Sequence, residues 1–114
     1  MPWTPESVFE ADHDVLDEWL PSDGEYEFRV KGISVWVRIR LYKKRGHKGV
    51  YFKQSHFIKT PLLMGKYTTN VRWGNDVGTA LRRAVTAITG AYRSAIKAGK
   101  TPEDTWLVPN EDLD

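Results

Sequence analysis

Trp36, Arg38, Arg40 and Tyr42 stand at every second position of one segment, and Tyr51 and Lys53 keep the same spacing in the next. Residues two apart share a face in extended backbone, so the spacing predicts one row of aromatic and cationic side chains. Guanidinium groups bind phosphate through paired hydrogen bonds, and aromatic rings stack on bases. Basic strands also enter a DNA groove and read base edges. Between the two segments, Lys43-Lys44-Arg45-Gly46-His47-Lys48 concentrates charge at a hairpin tip, where Lys44, Arg45 and Lys48 can grip a phosphate backbone. The expected nucleic-acid surface is therefore Trp36, Arg38, Arg40, Tyr42, Lys44, Arg45, Lys48, Tyr51 and Lys53. The same residues also suit an ordinary solvated sheet face and a polar hairpin tip. A third reading has acids from residues 6–27 folding back to neutralise the row.

Reaction chemistry has less to stand on. Cysteine is absent, which excludes disulfides, thiolate metal sites and a cysteine nucleophile. His13, His47 and His56 fall on separate segments, and no pair has metal-ligand spacing, so neither metal nor cofactor is expected. No phosphate-binding glycine loop or nucleophile elbow occurs. His56, with Ser55 and Lys53 nearby, is the one candidate base of a metal-free nuclease. Residues 29–73 hold no carboxylate to orient it. A binder is expected rather than an enzyme.

Charge is sorted along the chain although the net is only +2. Residues 1–28 carry nine acids and no Lys or Arg; residues 29–73 carry twelve Lys or Arg and no acid; residues 74–114 carry five basic and six acidic side chains. Blocks of one sign set local fields whatever the net charge is. The start, Met1-Pro2-Trp3, lacks the basic and apolar stretches of a signal peptide, and apolar runs are too short to span a membrane. Together with the lack of cysteine, this makes a cytoplasmic setting the expectation.

The elements that must position the row follow from periodicity. Thr4-Pro5-Glu6-Ser7 is a helix start, and Val8, Phe9, Ala11, Val15, Leu16, Trp19 and Leu20 recur near helical spacing up to Pro21-Ser22-Asp23-Gly24. One helix, or two short ones, is predicted over 5–20. Strands are predicted over 25–30, 33–44 and 50–59, the last with a bulge near Ser55. An irregular connection over 60–75 is long enough to expect a function of its own. A long helix over 76–98 carries Val77, Leu81, Val85, Ile88, Tyr92 and Ile96 on one stripe and stops at Gly99. Its Arg82, Arg83, Arg93 and Lys97 lie off the stripe, as an exposed basic face. Trp106 to Val108 should anchor an acidic tail, residues 100–114, whose end from Glu111 to Asp114 should be mobile. Trp19, Trp73 and Trp106 are assigned to the core or its lids, Trp3 and Trp36 to the exterior. The fold expected is one α+β domain, a three-stranded antiparallel sheet under a long C-terminal amphipathic helix, in the order helix, three strands, helix.

In topology that order resembles the double-stranded-RNA-binding fold, although the last helix starts Asn75-Asp76-Val77-Gly78-Thr79 and lacks that family's Lys-rich start. The basic sheet face is similar to that of the three-stranded DNA-binding domains of plant transcription factors. Both resemblances imply a nucleic-acid partner, DNA or RNA. The expectation is a small non-enzymatic nucleic-acid-binding or regulatory domain. A protein-interaction module using exposed Trp and the acidic termini is the alternative.

Overall fold

The computed structural model describes residues 3–22, 25–67, 69 and 71–111. Its first helix, α1 (Pro5–Ala11), opens on a reciprocal cap: the Ser7 N–H donates to the Thr4 hydroxyl at 3.1 Å, and the Thr4 N–H donates to the Ser7 hydroxyl at 2.9 Å. The single helix expected over 5–20 is corrected here, because Leu16–Ser22 is strand β1. The cause is a bulge. Leu16 pairs with Val30 and Trp19 with Phe28, so two residues of β1 oppose one on its partner and the inward side chains fall three apart. That interval mimics a helix. Asp23 and Gly24, read as the stop signal, lie outside the described residues.

Strands β2 (Glu25–Val30), β3 (Val37–Lys43), β4 (Val50–Gln54), β5 (His56–Ile58) and β6 (Trp73–Gly74) precede helix α2 (Val77–Lys97). A short 3-10 turn, Asp104–Trp106, then leads into β7 (Leu107–Pro109). The main sheet has five strands, not three, in the antiparallel order β1-β2-β3-β4-β6, and β5 pairs with β7 in a second sheet. The expected strand over 50–59 breaks at Ser55, which turns back to bond Arg38 through both its N–H and its hydroxyl. The strand expected from Ile33 begins only at Val37. Residues before it are held by the tail instead: Asp104 accepts the Ser34 N–H and hydroxyl, and this lowers its pKa.

The inner sheet face, with Phe28, Val37, Ile39 and Phe52, packs on Leu81, Val85 and Ile88 of α2 and on Val8 and Phe9 of α1. Val35 is partly buried at the margin of this core. Asp76 caps α2 by accepting the Thr79 N–H at 2.8 Å, and Gly99 takes the left-handed conformation (φ 83°) expected after its end. The stripe's two ends, Val77 and Ile96, are exposed, a correction to the continuous stripe. Trp106 is buried against Tyr92, as expected of the tail anchor, and residues 112–114 lie outside the described residues. Trp19 and Trp73, assigned to the core or its lids, are exposed. Trp19 lies on the edge strand, where Phe9 stacks on its ring at 4.5 Å.

The basic face expected on the long helix holds only in part: Arg83 and Lys97 are exposed, whereas Arg82 and Arg93 are taken up by acids. Asp12, at the end of α1, accepts hydrogen bonds from Arg82 Nη1 (3.1 Å), Arg93 Nη2 (3.0 Å) and the Thr89 hydroxyl (2.9 Å). Arg93 also holds both oxygens of Asp14 at 2.7 Å, and this hydrogen bonding pulls Asp14 down to a pKa of about 2. Asp12 and Asp14, at the exit of the first helix, thus cover Arg82 and Arg93. Asp12→Ala should cost roughly 2–4 kcal/mol in a urea titration. That is somewhat below the cost of breaking a fully buried pair, because both guanidinium groups keep some solvent. Val37→Ala and Ile88→Ala should each cost about 1–4 kcal/mol. Values near zero at these positions would contradict the packing.

Candidate nucleic-acid interface

Strand register arranges the outer sheet face in rows. At one end Arg29 Nη2 lies 2.9 Å from Asp17 and 3.2 Å from Glu18, and its guanidinium sits 5.4 Å from the Trp36 ring centre. The bulge in β1 is what brings both of these carboxylates to Arg29. Trp36, placed on the exterior by its sequence position, is half-buried beneath that guanidinium and lies just outside β3. The next rows pair Glu27 with Arg38 and Glu25 with Arg40 across β2 and β3, with Nε–carboxylate distances of 3.3 and 3.1 Å. Such half-solvated pairs contribute about 0–1 kcal/mol to stability. Their larger effect is on the field, since each guanidinium is met by a carboxylate.

The far end is built differently. Tyr42 pairs with Tyr51, and Tyr51 with Trp73, across β3, β4 and β6, so three aromatic rings share one row. The tyrosine rings are 5.8 Å apart. Lys44 Nζ stands 4.4 Å from the Tyr51 ring and Lys53 Nζ 5.7 Å from that of Tyr42. The Tyr51 hydroxyl is hydrogen-bonded to His47 Nδ1 at 3.2 Å. Gly49 is required here: a Cβ would lie 2.8 Å from the Trp73 ring, so only glycine lets the indole lie over the hairpin. Lys44, Arg45 and Lys48 are exposed at the hairpin tip. Among the described residues no carboxylate forms an ion pair with Lys44, Arg45, Lys48, Lys53, Lys66 or Arg72. A cleft of about 210 Å³ adjoins this end, lined by Phe52, Lys53, Gln54, Phe57, Lys66, Arg72 and Asn110.

All the expected site residues except Trp36 lie on β3, β4 or the hairpin between them, but they do not form one uniform surface. Arg38 and Arg40 are matched by glutamates, whereas Lys44 at the hairpin and Lys53, the register partner of Arg40, form no ion pair with a carboxylate among the described residues. Sequence reading missed Trp73, Lys66 and Arg72. All three belong to the 60–75 connection, whose length was the only signal that it has a role.

His56 stands apart from both regions in its chemistry. Its Nδ1 is 2.8 Å from the Ser55 hydroxyl, whose oxygen accepts the Arg38 N–H at 2.7 Å. Burial, and then the nearby Arg38 charge, lower its pKa below 6.5. No group of three His, Cys, Asp or Glu among the described residues could hold a metal. No helix among them is long and apolar enough to cross a membrane. Comparison with family models, curated proteins and solved structures gives no match.

The His56 shift has a sign that can be measured. The unfolded chain takes up a proton near pH 6.5 that the folded protein resists, so folding stability is full above that pH. It should fall as the pH drops through 6.5 toward the lower folded value, then level off with respect to this group. Urea midpoints at about pH 7.5 and about pH 5.5 should differ more in wild type than in His56→Gln. Equal differences in the two proteins would show that His56 does not titrate as its surroundings require.

Proposed function

We propose that this domain binds single-stranded nucleic acid, without acting on it chemically, through the aromatic, lysine-bearing end of its outer sheet face. The observation that carries this reading is the Tyr42–Tyr51–Trp73 row, flanked by Lys44 and Lys53, neither of which is ion-paired to a carboxylate among the described residues. Aromatic platforms need unpaired bases to stack on, and adjacent ammonium groups track the phosphates. A duplex offers its bases only edge-on in the grooves. The matched pairs Glu27–Arg38 and Glu25–Arg40 then bound the surface on one side. A second reading, a docking surface for a protein, draws on Trp3 and Trp19, exposed beside the acids of α1 and β1.

Titration of fluorescent oligonucleotides at two salt concentrations tests the proposal. Affinity should fall with salt, and Lys44→Ala plus Lys53→Ala should flatten the slope by about 0.7 per lost phosphate contact. Trp73→Ala should weaken binding by roughly 1–3 kcal/mol, as loss of a stacking ring does. Trp36→Ala, and Arg38→Ala plus Arg40→Ala, should matter much less, because these groups already have partners. Glu25→Gln plus Glu27→Gln should tighten binding by releasing the two arginines. No binding to any strand at low salt would sink this function and favour the protein-docking reading.

A further inference from the structure

β6 pairs with β4 only at Val50 and Tyr51. Past that point the edge of β4 faces the returning connection, and the cleft of about 210 Å³ opens between them. Lys53, Lys66, Arg72, Gln54 and Asn110 line it, and among the described residues no carboxylate does. The walls are held in place. The Phe52 N–H donates to the Arg72 carbonyl at 3.0 Å, and Arg72 Nε donates to the Thr69 carbonyl at 3.2 Å. Gln54 is almost wholly buried and donates to the His56 carbonyl at 2.9 Å, while Asn110 donates to the Gln54 carbonyl at 2.9 Å. Lys66 Nζ is poised 4.8 Å from the Phe57 ring.

Like charges gathered at one cleft repel, and a bound anion relieves that repulsion. The volume is below the roughly 300 Å³ at which pockets for whole drug-sized ligands begin, so it suits a compact charged group. An internal phosphodiester brings one charge. A phosphomonoester brings close to two at neutral pH, with three strong acceptor oxygens, and the Arg72 guanidinium beside the Lys66 ammonium complements it better. We propose that the cleft is a phosphomonoester site, taking the terminal phosphate of a nucleic-acid strand or the phosphate of a free mononucleotide. The strand-end form rests on the function proposed above. Lys53 belongs to both regions, lining the cleft and standing over the Tyr42 ring. A strand anchored here by its end would lead its neighbouring bases onto the aromatic row.

The test compares matched oligonucleotides bearing a 5′-phosphate, a 3′-phosphate or hydroxyl ends, by fluorescence anisotropy. In parallel, adenosine monophosphate and adenosine are titrated into the labelled protein and followed by amide NMR. For a strand end, one phosphorylated form should bind about tenfold tighter than the hydroxyl form, the scale of one charge-assisted hydrogen bond. Lys66→Ala plus Arg72→Ala should abolish that preference, so that phosphorylated and hydroxyl-ended strands bind alike. Lys66→Gln provides a milder variant if loss of Arg72 loosens the connection. If the monophosphate, but not adenosine, shifts the Gln54 and Asn110 signals while strand ends are not distinguished, the cleft takes a free mononucleotide. Monophosphate binding without any oligonucleotide binding would keep the cleft and overturn the strand-binding function. Strand binding that ignores the end group, with no response to the monophosphate, would overturn the cleft and leave the sheet surface standing.

Discussion

Asp12 sits where α1 ends, its side chain only 4 % exposed, and receives hydrogen bonds from Arg82, Thr89 and Arg93. A carboxylate so nearly removed from water is tolerable only with such partners. Satisfying it fixes α1 on the flank of α2 and sends the chain directly into β1, which closes the sheet beside β2. The acidic first quarter of the chain is thereby built into the fold, with Phe9 in the core and Glu18 in the sheet.

The sorting of charge along the sequence becomes a sorting in space by residue type. Every ion-paired cation among the described residues is an arginine (Arg29, Arg38, Arg40, Arg82 or Arg93), and every partner lies between Asp12 and Glu27. Arginine's planar fork suits fixed pairing with carboxylates, whereas lysine is a mobile, strongly hydrated charge. The acids are thus matched at the β1–β2 side and along α2, and the lysines of the hairpin and of β4 keep their field. A net charge of +2 conceals a molecule with one neutralised half and one cationic edge.

What could be read from sequence was whatever depended on local rules. The alternation through β3 and the glycine after α2 follow from spacing and from single residue types, and both were legible. β1 was not, because its bulge gave Leu16 and Trp19 a helical interval and hid a strand inside a plausible helix. β5 and β7 are three residues each and exist only because they find one another across some fifty residues of chain; no periodicity can develop over that length. For the site, the alternating row was visible, but which of its arginines would meet a carboxylate depended on β2–β3 register. Trp73 lies in a two-residue strand, too short to carry any pattern, and joins the aromatic row only through pairing with Tyr51.

The two margins of the main sheet share a property that bears on how copies of this chain behave toward one another. Stacking a second molecule edge to edge needs a straight, unbroken run of unpaired backbone groups. β1 offers a run kinked at its bulge and interrupted at Pro21, which has no N–H to give. At the opposite margin β6 stops after two residues, and past it the returning connection takes up the edge of β4, where the Phe52 N–H donates to the Arg72 carbonyl. Polymerisation through the sheet, the usual hazard of an open β architecture, therefore meets an obstacle on each side.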